Sequence, residues 1–478
     1  MSAQPKYAMP YRTHIHLLDF DSLLQIFNCY RLEDGDNWHL RHTWWRLAHV
    51  CRRWRYLIYY SPSHLDVCLR LTNDFPSIAT LSHLPPLPMI IDYSDRTRTL
   101  TRKDEDNIDL GLQQHGRVRW VSLQAASPRL RMWLEPMNKL FPRLRGLCLL
   151  STTTGEMSLA LPETLQAPDL HHLSLHGIGL PKGLALLSSM ITLSILTLTN
   201  IQDSCYFPPG QLVTQLKGLP YLEELSIGFA IPIPLPSSEA ELLPIPIPPV
   251  TLATLRQLTF RGLGVYLDNL IAQINTPLLE QLNLILFFEI AFTLVNLTEF
   301  IYRTEGFRPP AAQVIFNKNS ASIDGYYEQW GVRKLAVHIN CEHLDWQIDS
   351  VTQFCSALGK VLSTVEELKL DLNVDGISLG WENTLDNILW HELLLPFIGV
   401  KKLHIGRSLV NELSRALESV AGGLVMELLP ELQALEIQLE MDQAEKAFSG
   451  FAQTRESIGR PVHFLAPVRL LSLIVNTC

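Results

Sequence analysis

Apolar residues recur along most of the chain in one short pattern, aliphatic-x-x-aliphatic-x-aliphatic. Side chains alternate between the two faces of a β-strand, so this pattern sends leucines inward and the intervening residues outward. Successive copies begin 21 to 36 residues apart. We therefore predict a short strand at each copy and a sheet made of these strands. The copies begin at Val118, Leu144, Leu170, Leu193, Leu222, Leu255, Leu279, Ala311 (the weakest), Val332, Val365, Val400, Leu432 and Val468.

Helical segments are predicted between several of these strands. A strand and a helical return at this period are typical of leucine-rich repeats, whose strands form a parallel sheet on the concave side of an arc. Two irregular opening strands are expected at 65–71 and 87–91, and the apolar run 282–300 divides better into a strand and a helix than into a membrane span. The helical segments are 211–217, 266–274, 350–362, 409–429 and 442–458.

Two short amphipathic helices with large aromatic side chains precede the repeats, within residues 18–60. In the first, Phe20, Leu23, Leu24 and Phe27 lie at i, i+3, i+4 and i+7, which is one face of a helix. Asp19 is positioned to cap this helix with its carboxylate. About forty residues cannot bury so many large side chains among themselves, so we expect another surface to cover them. The second helix carries its apolar residues at steps of three and four, at Trp44, Leu47, Cys51, Trp54 and Ile58.

This segment resembles an F-box, the motif that docks a substrate receptor onto the adaptor subunit of a cullin-based (SCF) ubiquitin ligase. The resemblance rests on Leu18-x-x-Asp21-x-Leu23-Leu24 followed by Phe27, and on Val50-Cys51-Arg52-x-Trp54-Arg55-x-Leu57. The chain departs from the usual motif at Asp19, where proline is common, and in the long polar stretch 31–43. The resemblance implies adaptor contacts by Leu18, Phe20, Leu23, Leu24, Phe27, Trp44, Leu47, Val50, Cys51, Trp54 and Leu57.

Taken whole, the chain is similar to the F-box/leucine-rich-repeat proteins of fungi. The expected fold class is α/β, an N-terminal helical F-box followed by an irregular leucine-rich-repeat solenoid with a parallel concave sheet. The expected domains are a disordered N-terminus at 1–13, the F-box at 14–64, linking or capping strands and a helix at 65–116, and the solenoid at 117–478. The resemblance implies a non-catalytic receptor whose partners are the adaptor, the cullin scaffold and a protein client of unknown identity.

Composition narrows the classes of function. A net charge of -9 and a pI near 6.0 argue against nucleic-acid binding, which needs a basic face. Eight cysteines without a CxxC pair suggest a reducing compartment, the cytoplasm or the nucleus. The first seventeen residues are polar and lack a secretory signal, and no membrane association is expected. Phosphate-loop, nucleophile-elbow and zinc-protease motifs are missing, so we predict neither catalysis nor a cofactor.

Outward-facing residues of the predicted strands define a candidate client face. Its first half is neutral and polar and its second half carries both charge signs, which suits a protein or peptide better than a polyanion. His171, His172 and His176 lack a completing ligand nearby, so no metal site is predicted. The candidate client contacts are Trp120, His172, His176, Glu224, Arg261, Lys334, His338, Lys369, Lys402 and His404.

Three alternatives stay open. The chain is also consistent with a scaffold that uses its F-box outside any ligase. An enzyme that uses the concave face is a weaker interpretation. The proline-rich segment 231–250 is expected to form a loop on the rim of the arc, and a docking peptide for a partner's aromatic groove is its other interpretation.

Overall fold

The structure is a computed structural model, and it is mixed α/β. The disordered N-terminus predicted at 1–13, most of the proline-rich segment and the strand predicted at Val468 lie outside the residues that it describes. The chain divides into two compact units, which are Met1–Cys148 with Thr164–Pro168, and Leu149–Glu163 with Asp169–Cys478. The described residues are 17–32, 43–61, 68–72, 86–95, 97–153, 159–181, 184–232, 249–288, 294–327, 332–373, 387–418, 428–439 and 441–465.

In its described residues, the first unit combines five α-helices with short parallel strands. Strand β1 pairs with β2 and β2 with β3, all parallel. The two opening strands predicted at 65–71 and 87–91 are confirmed as β1 and β2. The elements are α1 Phe20–Leu32, α2 Thr43–Val50, α3 Arg52–Tyr60, β1 Leu69–Leu71, β2 Met89–Tyr93, α4 Arg102–Gln113, β3 Val118–Ala125 and α5 Ser127–Leu134.

The boundary between the two units falls within strand β4, Gly146–Ser151. Most strands of the second unit lie at predicted copies, but those at 250–251, 274–275, 320–327 and 463–465 were not predicted. In the copy at Leu170, the side chains of Leu170, Leu173 and Leu175 are fully buried, as the alternation predicts. The strands are β5 His172–His176, β6 Ile195–Ile201, β7 Glu224–Phe229, β8 Val250–Thr251, β9 Gln257–Gly262, β10 Ile274–Asn275, β11 Gln281–Leu286, β12 Ala311–Asn317, β13 Ser320–Tyr327, β14 Val332–Ile339, β15 Glu367–Asn373, β16 Lys402–Ile405, β17 Ala434–Ile437 and β18 His463–Leu465.

Helices return the chain between these strands. Each of the five predicted segments contains helix, but Ile274 of the segment 266–274 lies in strand β10 and 428–429 of the segment 409–429 are not helical. The helix expected after β11 is also present. Helix 387–394 was not predicted. The helices are α6 Pro209–Leu216, α7 Gly264–Ala272, α8 Val295–Arg303, α9 Leu344–Ala357, α10 Gly359–Leu362, α11 Asn387–Leu394, α12 Val410–Glu418, α13 Met441–Ala447 and α14 Ser449–Ser457.

The prediction that all the strands are parallel and follow chain order is wrong between 311 and 339. Strands β12, β13 and β14 form an antiparallel set, which we call the trio. The spatial order is β11-β14-β13-β12-β15, so β14 pairs in parallel with β11 and β12 pairs in parallel with β15. The hairpin between β12 and β13 has only Lys318 and Asn319 between the paired residues Asn317 and Ser320. A two-residue connection can join only antiparallel strands.

Gln347 of α9 bridges the end of β12 and the residues that follow β14. Its side chain is buried, and its amide donates to the carbonyl oxygen of Asn317 at 3.0 Å and to that of Cys341 at 2.9 Å. Asn317 ends β12 and Cys341 lies just past the end of β14. One side chain thus satisfies a carbonyl at each outer strand of the trio.

Candidate functional site

The helices of 17–61 pack against one another around buried side chains. Leu23, Phe27, Trp54 and Ile58 are buried, and the rings of Phe27 and Trp54 meet edge to face with their centroids 4.7 Å apart. Helix α1 begins as predicted, because the backbone N–H of Ser22 donates to the Asp19 carboxylate at 2.7 Å. This hydrogen bond lowers the pKa of Asp19. We call residues 17–61 the helical module.

A second set of apolar side chains on the helical module faces solvent. Tyr56 and Tyr60 lie one turn apart on α3 and stack with their ring centroids 4.2 Å apart. Val50, at the end of α2, is 60% exposed and Phe20 is 49% exposed. Isolated exposed apolar residues are ordinary, but several on one small module are unusual for a protein surface. The set comprises Leu17, Phe20, Ile26, Val50, Tyr56 and Tyr60.

Arg53 connects α3 to the start of α1. Its guanidinium donates to the carbonyl oxygen of Leu18 and lies 5.2 Å from the centroid of the Phe20 ring. It therefore does not lie on a purely solvated helix face, which is the plainest interpretation of an arginine-rich sequence.

The predicted adaptor contacts divide into side chains that reach the surface and side chains that are buried. Phe20 and Val50 are exposed, while Leu18, Leu24, Leu47 and Cys51 are partly exposed. The helical period alone does not separate core positions from exposed ones, so the sequence combined both in one list. The side chain of Trp44 lies outside the described residues. The buried members of the predicted set are Leu23, Phe27, Trp54 and Leu57.

On the second unit, the predicted client residues of β15–β17 form a charge lattice. Lys402 Nζ lies 3.4 Å from Glu367 and 3.0 Å from Glu436. The ring of His404 lies between the same two carboxylates, with Nε2 2.6 Å from Glu367 and Nδ1 3.1 Å from Glu436. Lys369 lies opposite His404 in the register and is 3.6 Å from Asp371. We call Glu367, Lys369, Asp371, Lys402, His404 and Glu436 the lattice.

The carboxylates of the lattice favour the protonated, positively charged form of Lys402. Burial by itself lowers the pKa of this amine, but its hydrogen bond to Glu436 and the charges of Glu436 and Glu367 outweigh burial and raise it. Carboxylates only accept hydrogen bonds, so both contacts of His404 are hydrogen bonds only when both ring nitrogens carry a proton. The charges of the lattice thus have partners within it.

The earlier strands of the second unit carry a more neutral face. His172 and Glu224 align across β5–β7, and burial lowers the pKa of His172. His176 lies 3.0 Å from the hydroxyl of Thr199. Arg261 is exposed at the end of β9, and its guanidinium lies 5.5 Å from the centroid of the Phe287 ring.

Trp120 is the one predicted client residue that lies in the first unit. It is partly buried, and its ring covers Gly146 so closely that any side chain at position 146 would overlap it. This tryptophan therefore has a packing role within the first unit.

The trio carries charged residues that the sequence did not single out. Asp324 on β13 is 3% exposed, and burial raises the pKa of its carboxyl. Arg333 Nη1 lies 3.5 Å from Asp324 Oδ1, and that oxygen accepts no hydrogen bond within the described residues. His338, a predicted client residue, is on the next strand, and burial lowers its pKa. Asp324 was missed because Ser320–Tyr327 lacks the aliphatic pattern.

Within the described residues, no group of three or more His, Cys, Asp or Glu side chains is arranged to hold a metal ion. No helix in the described ranges has both the length and the apolar character needed to cross a membrane. Comparison of the chain with protein-family models finds no match, and neither does comparison with curated proteins.

Proposed function

We propose that this chain is the substrate-recognition subunit of an SCF-type ubiquitin ligase and performs no catalysis itself. In this proposal the helical module is an F-box that docks the adaptor, and the repeats form a leucine-rich solenoid whose strand face binds a protein client. The observation that carries the proposal is the division of the helical module into buried apolar side chains and an exposed apolar set. A module that packs without its exposed aromatics has them available for a partner.

The strand pattern supports the client half of the proposal. Parallel strands at successive leucine-rich copies leave polar side chains such as His176, Glu224 and Arg261 on one face. Such a face can be matched to one partner by its side chains while the leucines maintain the fold.

The adaptor contact can be tested without disturbing the fold. The double variant Phe20→Ala/Val50→Asp changes two exposed side chains and leaves Leu23, Phe27 and Trp54 in the core. We expect it to lower co-purification with the F-box-binding adaptor by roughly tenfold or more, because an aspartate would be buried unpaired in an apolar interface. The measurement is co-expression with the adaptor followed by quantitative pull-down of the full chain.

Met132→Asp is the matched control. Met132 is as exposed as Val50 and belongs to α5 of the same unit, and its variant should retain the adaptor. Undiminished co-purification of the double variant would contradict the proposal. Adaptor recovered without any cullin would favour the scaffold outside a ligase. Leu23→Ala or Trp54→Ala would not discriminate, since loss of binding would follow from unfolding of the module.

A further inference from the structure

Three basic residues gather at one edge of the trio. Strand β12 begins, β13 ends and β14 begins at this edge, because β13 is antiparallel to both neighbours. Arg308 precedes β12 and is exposed, and Arg333 and Lys334 open β14. We call Arg308, Arg333 and Lys334 the basic edge.

A β-bulge orients two of these residues. Tyr326 pairs with Arg333 and Gly325 pairs with Leu335, so Lys334 is an extra residue without a partner in the β13–β14 register. Bulges of this kind redirect side chains and are frequent beside functional sites. Lys334 extends over the Tyr327 ring, with Nζ 4.4 Å from its centroid, and the Tyr327 hydroxyl donates to the Gly306 carbonyl oxygen. The ring that supports the lysine is thereby held in place.

Asp324 lies behind Arg333 rather than beside it at the surface. The aspartate side chain is 5% exposed and the Arg333 side chain is 49% exposed. A guanidinium presents five N–H groups in a planar fork, and one contact at 3.5 Å engages only one side of that fork. The buried carboxylate therefore acts as a counterion that positions the arginine, while the guanidinium itself stays accessible.

We propose that the basic edge binds an acidic segment of a partner polypeptide through its Asp or Glu carboxylates. Arg333 would take a carboxylate in a bidentate pair, and Lys334 would add a second positive charge. A basic segment is disfavoured because Asp324, the carboxylate that contacts Arg333, is covered. The lattice is a poorer acceptor, since its lysines already contact carboxylates.

This inference deepens the proposed function, because it gives the chemical class of client segment that the strand face takes. It rests on the proposed function only in calling the bound partner a client. The site itself can be tested on the full chain with no adaptor present.

The test uses three labelled peptides of equal length that carry a run of glutamates, glutamines or lysines. Fluorescence anisotropy with the full chain should show tighter binding of the glutamate peptide, with affinity that falls as salt rises. Arg333→Gln should weaken glutamate-peptide binding by roughly tenfold to a hundredfold, the usual effect of losing a charged hydrogen-bonding partner. Lys334→Gln should weaken it less, because a lysine makes no bidentate contact.

Arg256→Gln is the matched control. Arg256 is half exposed, forms an ion pair with Glu280 and belongs to the same unit, so its loss changes the net charge equally. This variant should bind the glutamate peptide with less than about a twofold change. Thermal unfolding of each variant verifies that the fold is intact.

Equal losses in Arg333→Gln and Arg256→Gln would overturn the proposal in favour of a net-charge effect. Equal binding of glutamate and glutamine peptides, or tighter binding of the lysine peptide, would also overturn it. If the unmodified chain binds the glutamate peptide but not the adaptor, the proposed function alone is overturned. If it binds the adaptor but shows no preference for the glutamate peptide, only this inference is overturned.

Discussion

The lattice and the trio lie side by side in the second unit, yet they handle buried charge in opposite ways. In the lattice, Glu367 and Glu436 lie on the strands flanking β16, and Lys402 and His404 each contact both carboxylates. In the trio, Asp324 is more deeply buried, and Arg333 contacts only one of its oxygens, at 3.5 Å. A charge that has partners on both neighbouring strands stabilises the sheet. A buried charge with one incomplete partner destabilises it, and such groups are common at binding sites.

The two regions also differ in how the chain reaches them. The lattice strands follow one another in parallel, and each copy of the leucine pattern supplies the next strand. The trio folds back on itself, and Gln347 and the aromatic pair Phe316 and Trp390 hold it against the helices. We therefore expect the stability of the trio to depend on a few specific contacts. The stability of the lattice should be spread over many contacts, each of small effect.

The largest effect is expected from Trp390→Ala on α11. Trp390 is fully buried, and its ring meets that of Phe316 on β12 at 5.6 Å between centroids. Removing a buried tryptophan leaves a large cavity and typically destabilises by about 3–5 kcal/mol. Chemical denaturation of the full chain should show that loss, and Trp346→Ala, an exposed tryptophan on α9, should lower stability by less than about 1 kcal/mol. Equal losses would show that the trio has no special dependence on this helix.

The sequence identified the strands well because leucine burial determines them. At Val365, Leu368 and Leu370 every aliphatic position of the pattern is buried. The pattern does not report strand direction, however, so β12 looked like one more parallel copy. Direction came instead from the turn at Lys318 and Asn319.

The candidate site was predictable only in part, because the residue pattern does not report which strands lie side by side or in which register. Alternation showed that Lys402 and His404 point away from the leucines. It could not show that Glu367, 35 positions earlier than Lys402, lies against both, because strand register determines that contact. On the helical module the period gave the apolar face, but tertiary packing decides which of Phe20 and Phe27 is exposed.

Asp324→Asn is expected to raise the free energy of unfolding, whereas Trp390→Ala lowers it, and the change should be of intermediate size. The folded-state pKa of Asp324 is raised, so its contribution to stability is fully present below the unfolded pKa and is lost as pH rises through the folded pKa. Above its folded pKa the wild type therefore carries an unfavourable buried charge. The amide removes that charge, and the half-exposed Arg333 can be solvated, so we expect a gain of about 1 kcal/mol.

Chemical denaturation of the wild type and of Asp324→Asn between pH 4 and pH 8 measures whether the substitution stabilises the fold. The gain should be largest at pH 8 and should shrink as pH falls toward the unfolded pKa of the carboxyl. Asp349→Asn, an exposed aspartate on α9, should show little change across the same range. A loss of stability in Asp324→Asn at pH 8 would mean that the ion pair with Arg333 outweighs burial.

The smallest effect is expected from Lys402→Met in the lattice. The methionine keeps the packing of the stem but leaves Glu367 and Glu436 without their shared cation. Lys402 is about one-third exposed, so solvent screens its contacts, and we expect a loss of about 0.5–1 kcal/mol at pH 7 that shrinks in high salt. Because the folded pKa of Lys402 is raised, its contribution is fully present below the unfolded pKa and is lost only as pH rises through the folded pKa.

Lys401→Gln is the control for this prediction. Lys401 contacts Glu366 at 2.8 Å, but both side chains are about half exposed, so its loss should be near zero. A double-mutant cycle of Lys402→Met with Glu436→Gln should give a favourable coupling that the Lys401–Glu366 pair lacks. If the two pairs couple equally, contact with two carboxylates gives Lys402 no advantage over one surface partner. The contrast between the lattice and the trio would then rest on the burial of Asp324 alone.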